Sequence, residues 1–509
     1  MASFSIELRG LRLQLDCGRE LLAATSLGLD ARPVALVGAN GVGKSSLCRA
    51  ILGQRPPSEG CVLRQVPVRG LSVDVREASA VSLLEALGEA VSSPVMWSRL
   101  AELELADIDL DRSLATLSGG QRMRLALALA FLHEHDYLVL DEPEAHLDRE
   151  ARQWLRRAIA GHRAGLLLVS HDPDTLSSAT RVLEFSRGRL FDYALGFEAY
   201  SRQRALEQDA AQRAARRAQS ELTQERARDQ QARERAEKRA AIGRRERAAG
   251  SQPALMCDFA QGRAERAEGR RAAEAQGRQT RLQAEWQAQR ERLALAPRFD
   301  LRLRAPQGAR AQARLRVRGL EVERGGRVLL RGLDLDLQAP RRLAVLGPNG
   351  CGKSSLLVRL EQKVTADATA TSVRRVGQET RLPEAASLLD CLQQLCPGVE
   401  QGHLRERLSW FGFSAAQAQQ PADGLSAGER IRLLFCAHLA DGQGPGLLLL
   451  DEPDNALDLP ARAVVQSALA SYPGLLLVAS HSRSFLAACG IHEALWLDGR
   501  GGWRLDRVD

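Results

Sequence analysis

The chain has 509 residues, enough for two or three domains that each bury a core of their own. It contains no run of about 18 apolar residues, and its first residues lack the basic and apolar segments of a signal peptide. The nine cysteines show no paired CxxC spacing, which disfavours a disulfide scaffold. We therefore expect a reduced protein of the cytoplasm without a membrane span.

The net charge of +8 is concentrated in one part of the chain. Residues 201–314 hold 27 Lys and Arg against 15 Asp and Glu, whereas the remainder holds 44 against 48. An excess of positive charge in one segment predicts a polyanionic partner for that segment.

The first predicted element that carries chemistry is a buried strand that leads into a glycine-rich turn. Residues 33–37 are apolar, and the stretch that follows fits the pattern GxxxxGKS. In such a loop, backbone N–H groups hold a phosphate at a helix N-terminus, the lysine meets the outer phosphates and the first serine holds Mg²⁺. The residues predicted to bind a nucleotide in this half are Gly38, Asn40, Gly41, Gly43, Lys44, Ser45 and Ser46.

Three further motifs follow in the same half. A signature of the form LSGGQ precedes the next buried strand and contains Ser118, Gly119, Gly120 and Gln121. Asp141 ends that strand, as an aspartate that orients Mg²⁺ must, and the adjacent Glu142 can accept a proton from an attacking water. His171 ends the following strand, where it could polarise a γ-phosphate, although a lone histidine would more often be structural.

Residues 201–295 consist mainly of Ala, Arg, Gln and Glu and include a single proline. This composition predicts long solvated helices, and Gly243 together with the cluster around Pro253 predicts a hairpin with its tip near 243–253. A solvated spacer would look similar, but arginine also pairs with phosphates and stacks on the bases of structured RNA. The candidate RNA-contacting residues are Arg244, Arg245, Arg247, Met256, Phe259, Arg263 and Arg266.

The second half repeats the whole set of motifs at an offset of 308 to 310 residues, so one long unit occurs twice. Its nucleotide-binding candidates are Gly347, Asn349, Gly350, Gly352, Lys353, Ser354 and Ser355. Its signature residues are Ser426, Ala427, Gly428 and Glu429. Asp451, Glu452 and His481 repeat the remaining roles. The chain has only four lysines, and two of them stand in the phosphate loops, where arginine could not replace them.

These patterns predict an α/β protein with two phosphate-loop ATPase domains, residues 1–199 and 315–509, joined by a long basic helical hairpin at residues 200–314. The LSGGQ signature makes both domains similar to ATP-binding cassette (ABC) domains. Two cassettes in one chain, a charged helical linker and no membrane domain resemble the ABC-F subgroup.

The resemblance implies two ATP molecules sandwiched head to tail between the cassettes. Lys44 would share one site with Ser426 and Gly428, and Lys353 the other with Ser118 and Gly120. Glu142, His171, Glu452 and His481 would be catalytic. Mg²⁺, the only metal implied, would be held by Ser45, Asp141, Ser354, Gln378 and Asp451.

The sequence departs from the subgroup pattern in several places. The second signature reads LSAGE, and the stretches that begin at Asp141 and Asp451 differ from the usual DEPTNHLD. Gln378 matches the glutamine that links Mg²⁺ to the helical subdomain, whereas the first half offers only Asp74. The aromatic residue that commonly stacks on adenine is missing ahead of both loops. These departures predict two unequal sites.

The resemblance also implies a function. ATP would drive binding to the ribosome near its exit site, with the linker approaching the peptidyl tRNA and the peptidyl-transferase region, and hydrolysis would release the protein. Modulation of translation and protection from an antibiotic both fit, and the partners would be ribosomal RNA and peptidyl tRNA. The chain would be a monomer whose own cassettes pair. The soluble ATPase subunit of an ABC transporter and a DNA-associated ABC ATPase stay open as alternatives.

Overall fold

The structure, a computed structural model, describes residues 5–15, 18–71, 82–248, 276–278, 280–284, 313–366, 372–377, 380, 382–439, 446–455 and 457–508. The chain forms two compact units. The first unit comprises Met1–Tyr200 and Arg298–Asp509 and holds both predicted cassettes. The second unit comprises Ser201–Pro297.

The first cassette is built on two sheets. Its strands are β1 (Ile6–Gln14), β2 (Glu20–Leu29), β3 (Pro33–Val37), β4 (Glu59–Arg64), β5 (Val68–Gly70), β6 (Tyr137–Asp141), β7 (Leu166–Val169), β8 (Arg181–Ser186) and β9 (Arg189–Tyr193). Six of them form a sheet in the order β5-β6-β7-β3-β8-β9, parallel except for the β8–β9 hairpin. The other three form an antiparallel sheet in the order β2-β1-β4.

The central strands β3 and β7 are apolar along their whole length because both faces of the sheet are covered. Val34 and Leu36 of β3 enter a core cluster on the side of β1 and β2, whereas Ala35 and Val37 enter the cluster beneath the helices. Because neighbouring parallel strands share one direction, the phosphate loop, Asp141 and His171 all follow strand ends at the same edge of the sheet.

The second cassette repeats this architecture. Its strands are β10 (Arg314–Arg324), β11 (Arg327–Gln338), β12 (Arg342–Leu346), β13 (Val373–Gly377), β14 (Leu447–Asp451), β15 (Leu475–Ala479), β16 (Glu493–Leu497) and β17 (Trp503–Arg507). The main sheet has the order β13-β14-β15-β12-β16-β17, strand for strand the order of the first, and β10 and β11 form a separate antiparallel pair. The predicted fold class, an α/β protein with two repeated phosphate-loop domains, is confirmed.

Helices cover both faces of each main sheet, and the helix that follows each phosphate loop packs on the same face as the antiparallel strands. In the first cassette they span Lys44–Leu52, Leu83–Leu87, Pro94–Glu102, Gly119–Ala130, Arg149–Gly161 and Pro173–Leu176. In the second they span Lys353–Ala366, Leu388–Leu395, Gln401–Trp410, Ala427–Leu439, Leu459–Ala470 and Arg483–Ala488. The aspartates that close the two DEP-containing motifs cap the helices that follow. Asp148 accepts the N–H of Ala151 at 3.1 Å, and Asp458 accepts the N–H of Ala461 at 3.0 Å.

A single helix, Phe197–Ala248, supplies most of the described part of the second unit. Its 52 residues correspond to a length of about 78 Å. Gly243 lies inside this helix and does not interrupt it as we expected, because one glycine costs only about 1 kcal/mol in a helix. The helix is described as far as Ala248, which lies within the range 243–253 expected for the tip. Residues 276–278 and 280–284 are also helical, and Arg278 Nε donates to Glu225 Oε1 at 2.8 Å within the same unit.

Arg244, Arg245 and Arg247 belong to the last turns of that helix. The other RNA-contact candidates, Met256, Phe259, Arg263 and Arg266, lie outside the described residues. In the part of the chain that the structure describes, no helix is both long and apolar enough to cross a membrane.

Candidate functional site

Both phosphate loops turn sharply where a buried strand ends. Gly38 has a φ of +158°, and a Cβ atom there would lie 2.4 Å from the carbonyl oxygen of Phe185. Gly347 has a φ of +148°, and its Cβ atom would lie 2.4 Å from the carbonyl oxygen of Leu497. Only glycine is compatible with this close approach of two backbones. The loop continues through further glycines of positive φ, namely Gly41, Gly43, Gly350 and Gly352.

The two loop lysines are buried and folded over their own loops. Lys44 Nζ donates to two loop carbonyl oxygens at 2.7 and 3.0 Å, and Lys353 Nζ does the same in the second loop at 3.0 and 3.1 Å. Burial lowers the pKa of Lys44, and the carboxylate of Asp458 opposes this shift. Each ammonium group therefore stands at the mouth of a loop that can hold phosphate. The serines follow in the first helical turn, at Ser45, Ser46, Ser354 and Ser355.

Ser354 and Asp451 come together in the second cassette, where Ser354 Oγ donates to Asp451 Oδ1 at 3.0 Å. A hydroxyl and a carboxylate beside a phosphate loop are the hard oxygen ligands that Mg²⁺ prefers, so these residues fit the predicted metal. Ser45 and Asp141 occupy the same positions of the first cassette, at the start of a helix and at the end of β6. Gln378 and Asp74 lie outside the described residues.

Each predicted catalytic glutamate lies beside the predicted catalytic histidine of its own cassette. His171 Nε2 is 3.8 Å from Glu142 Oε1, and His481 Nε2 is 3.8 Å from Glu452 Oε1. Both glutamates have a positive φ, +50° and +46°, a strained backbone that sites of chemistry often retain. The surrounding fold therefore holds the backbone of both glutamates in an unusual conformation.

Burial sets the charge of these groups. It lowers the pKa of both His171 and His481, and the nearby ammonium groups of Lys44 and Lys353 add to the effect. Burial also raises the pKa of Glu452. Both imidazoles are therefore neutral at pH 7, and a neutral ring can donate through one nitrogen and accept through the other.

The two cassettes face each other head to tail. Asn349 of the second phosphate loop donates through Nδ2 to the carbonyl oxygen of His146 at 2.7 Å. A Cβ atom on Gly120 would lie 2.9 Å from the same Nδ2 atom, so the second phosphate loop lies against the first signature. On the other side, the N–H of Asn40 donates to Asp458 Oδ2 at 3.2 Å. Each loop is thus completed by residues of the opposite cassette.

The two signatures begin their helices in the same way but with different charge. Ser118 Oγ accepts the N–H of Gln121 at 3.2 Å, and Gln121 Oε1 accepts the N–H of Ser118 at 3.0 Å. In the second signature, Glu429 Oε2 accepts both the N–H of Ser426, at 3.0 Å, and its hydroxyl, at 2.8 Å. The replacement keeps the reciprocal helix cap. It also places a carboxylate where the first signature has a neutral amide.

Sequence reasoning missed a cluster of buried charges between the cassettes. Arg152 and Arg462 are both 3% exposed, and each lies within 4 Å of the one carboxylate of Asp172, at 3.8 and 3.6 Å. Arg462 also donates to the carbonyl oxygen of His171 at 3.3 Å and to Ser482 Oγ at 2.5 Å. The sequence did contain a signal for these arginines. Both follow an alanine and stand four residues after a capping aspartate, so the Ala-Arg pair recurs at the same offset as the motifs.

Glu144 is a second buried carboxylate that the motif comparison gave no role. It accepts the hydroxyl of Ser170 at 2.5 Å and the N–H of His171 at 3.4 Å. Burial raises the pKa of Glu144 to about 7, and the neighbouring carboxylate of Asp172 acts in the same direction. The usual motif has threonine at this position, so the first cassette carries an additional titratable group beside its predicted catalytic histidine.

Comparison with known proteins gives matches over nearly the whole chain. The sequence profile of a family described as ABC transporter matches residues 29–145 and 330–455. The chain is 29% identical to the energy-dependent translational throttle protein EttA of Mycobacterium tuberculosis, over 91% of this chain and 86% of EttA. It is 26% identical to the ribosome protection protein VmlR of Bacillus subtilis, over 89% of this chain and 79% of VmlR.

A third relative is the tylosin resistance ATP-binding protein TlrC of Streptomyces fradiae. It is 30% identical, over 94% of this chain and 95% of TlrC. Among solved structures, the archaeal ribosome recycling factor aABCE1, in complex with the stalk protein aP1, matches with a TM-score of 0.62. That match has 15% identity and covers 97% of this chain and 89% of the other. The structural match supports the twin-cassette fold.

Proposed function

Because the chain belongs to the ABC-F family of ATP-binding cassette proteins, we propose that it is an ATPase that uses two composite sites to control its own binding to the ribosome. The observation that carries the proposal is the meeting of each phosphate loop with the opposite cassette, through Asn349 and His146 on one side and Asn40 and Asp458 on the other. A nucleotide bound in such a site holds both cassettes together.

The residues divide the chemistry between them. Glu142 or Glu452 accepts the proton of an attacking water, and the neutral imidazole of His171 or His481 donates a hydrogen bond to the γ-phosphate. Lys44 and Lys353 neutralise the outer phosphates. Ser45 and Asp141, or Ser354, Gln378 and Asp451, hold Mg²⁺, which supplies charge stabilisation to the triphosphate when bound.

Hydrolysis ends the closed state. The triphosphate bridges a phosphate loop and a signature only when the cassettes are closed, so ATP shifts the population towards the closed shape. Loss of the γ-phosphate removes that bridge. ATP therefore sets how long the protein remains in its closed, ribosome-binding form.

The ribosome is proposed as the partner on two grounds. Two relatives carry names that refer to translation or to ribosome protection, and a third is named for tylosin resistance. In addition, residues 201–248, which lie in the long helix Phe197–Ala248, hold 14 Lys and Arg against 8 Asp and Glu, a composition that suits a polyanionic RNA surface. The linker is proposed to approach the peptidyl tRNA and the peptidyl-transferase region through Arg244, Arg245, Arg247 and the residues that follow them.

A double variant that binds ATP but cannot hydrolyse it tests the proposal. Glu142→Gln with Glu452→Gln is expected to co-sediment with ribosomes through sucrose when ATP is present and to remain near the top without it. Adding Lys44→Ala and Lys353→Ala should abolish the co-sedimentation, because the phosphate contacts are lost. A double variant that stays soluble with ATP, or that follows membranes or DNA, would contradict the proposal.

The linker needs a separate test. Deletion of residues 243–263 is expected to leave basal ATP hydrolysis within about twofold, because no catalytic residue is removed, and to abolish the effect on translation in a cell-free system. Loss of both activities would instead make this segment a structural part of the ATPase.

A further inference from the structure

The two cassettes differ at the third residue after the catalytic glutamate. The second cassette has Asn455 there, and the first has Ala145. Asn455 Nδ2 donates to Glu452 Oε2 at 2.6 Å, so an amide holds one oxygen of the catalytic carboxylate. Alanine offers no such donor, and Glu142 must be oriented in another way.

The amide of Asn455 is oriented in turn by the opposite cassette. Arg152 Nη2 donates to Asn455 Oδ1 at 3.0 Å. A guanidinium group can only donate, and an ionised carboxylate can only accept. The amide therefore has one orientation that serves both neighbours, with its oxygen towards Arg152 and its N–H₂ group towards Glu452.

Arg152 is itself held by the first cassette. Its side chain is buried, Nε donates to the carbonyl oxygen of Leu147 at 3.0 Å, and Nη1 lies 3.8 Å from Asp172 Oδ2. Leu147 belongs to the stretch of the first cassette that meets the second phosphate loop, one residue after His146. The guanidinium group of Arg152 is therefore fixed to the first cassette, and its distance from Asn455 depends on the position of that cassette.

We propose that Arg152 is a positioning residue for Glu452, acting through Asn455, so that the first cassette orients the general base of the Lys353 site. The proposal rests on the proposed function, in which Glu452 accepts the proton of the attacking water. We call the contacts from Arg152 through Asn455 to Glu452 the relay. It couples ATP hydrolysis at the Lys353 site to closure of the cassettes, because Arg152 reaches Asn455 only when the cassettes are in contact.

The Lys44 site is connected differently. Arg462, the counterpart of Arg152, donates to the carbonyl oxygen of His171 and to the hydroxyl groups of Ser482 and Ser484. It thus contacts the histidine segment of the opposite cassette. The relay to a catalytic glutamate belongs to the Lys353 site.

The test uses the full-length protein with Glu142→Gln, so that the remaining ATP turnover reports the Lys353 site. Asn455→Asp is the informative variant, because it keeps the volume and the acceptor for Arg152 but replaces the donor to Glu452 with a second carboxylate. We expect kcat to fall about ten- to hundredfold, with KM for ATP changed less than about twofold. Asn455→Ala and Arg152→Ala should behave in the same way.

Arg157→Ala is the matched control, since it removes an exposed arginine from the same helix. It should leave kcat unchanged. Asn455→Asp placed in the opposite background, Glu452→Gln, should leave the residual turnover of the Lys44 site within about twofold. A fall of kcat in both backgrounds would mean a general structural defect and would overturn the relay.

A readout without ATP tests the contact itself. Arg152→Ala and Asn455→Ala are expected to lower the midpoint of thermal unfolding non-additively, the double variant losing less than the sum of the two single losses. Additive losses would overturn the relay. An inactive wild type would overturn the proposed ATPase function and the relay together, whereas an active wild type with an unchanged Asn455→Asp variant would overturn the relay alone.

Discussion

The Lys44 site and the Lys353 site share their predicted phosphate-binding and catalytic residues but differ in what surrounds them. The Lys353 site faces the signature with neutral Gln121 and has Asn455 beside its glutamate. In the proposed arrangement the Lys44 site faces the signature that carries Glu429, and the first cassette has Ala145 at the position of Asn455. The difference indicates that the repeat retained the residues predicted to contact the triphosphate, while the residues around them diverged.

The largest expected effect separates the two catalytic glutamates. Glu452→Gln should lower steady-state ATP turnover about 10²- to 10³-fold, because it removes the general base from the site with the neutral signature. Glu142→Gln should lower it less than about tenfold. Phosphate release by the two purified single variants measures this directly. Equal losses of ATP turnover in the two variants would mean that the sites work only as one unit, which would contradict the proposed difference between them.

A second effect concerns stability and belongs to the first cassette. Burial raises the pKa of Glu144 from 4.5 to about 7, so the folded protein keeps the proton that the unfolded chain loses between these values. The stability contributed by Glu144 is therefore present below pH 4.5 and is lost as the pH rises to about 7. The side chain of the Glu144→Gln variant does not titrate. As the pH is raised from 5 to 8, the free energy of unfolding of this variant should therefore increase by about 2–3 kcal/mol relative to that of the wild type.

Unfolding midpoints across this pH range check the prediction. Glu89→Gln, at an exposed position, corrects for the loss of one negative charge. A Glu144→Gln variant whose difference from the wild type is the same at pH 5 and pH 8 would show that this carboxyl does not titrate as its burial indicates.

The smallest expected effect lies at the signatures. Glu429→Gln removes a negative charge from the start of the helix Ala427–Leu439, which faces the nucleotide of the Lys44 site in the proposed arrangement. ATP affinity at that site should rise about two- to fivefold. Titration of a fluorescent ATP analogue into a Lys353→Ala background measures it. The reciprocal change, Gln121→Glu with Lys44→Ala, should weaken the other site by a similar factor.

The architecture was predictable because phosphate chemistry restricts residue choice at strand ends. Gly38 must be glycine where its turn meets the backbone of Phe185, and the predicted role of Lys44 on the phosphates requires lysine, so both positions are visible in the sequence. Fully apolar strands such as Pro33–Val37 predict a sheet that is covered on both faces.

The connections between the cassettes were not predictable in the same way. Arg152 and Asn455 are 303 residues apart, and neither belongs to a pattern that fixes the other. The repeated Ala-Arg pair marks the arginines, but only the fold shows that one aspartate, Asp172, lies between both of them. The continuation of the long helix through Gly243 was missed for a simpler reason: helical neighbours outweigh one unfavourable residue.

The arginine cluster has a consequence for oligomerisation. Two second cassettes from different chains would bring two Arg462 side chains together with Ser482 in place of Asp172, leaving two buried cations without that carboxylate. Two first cassettes would place Arg152 opposite Ala145, which has no acceptor to offer in place of the Asn455 side chain. Either like-with-like pairing is penalised, so the cluster favours the pairing of a first cassette with a second cassette.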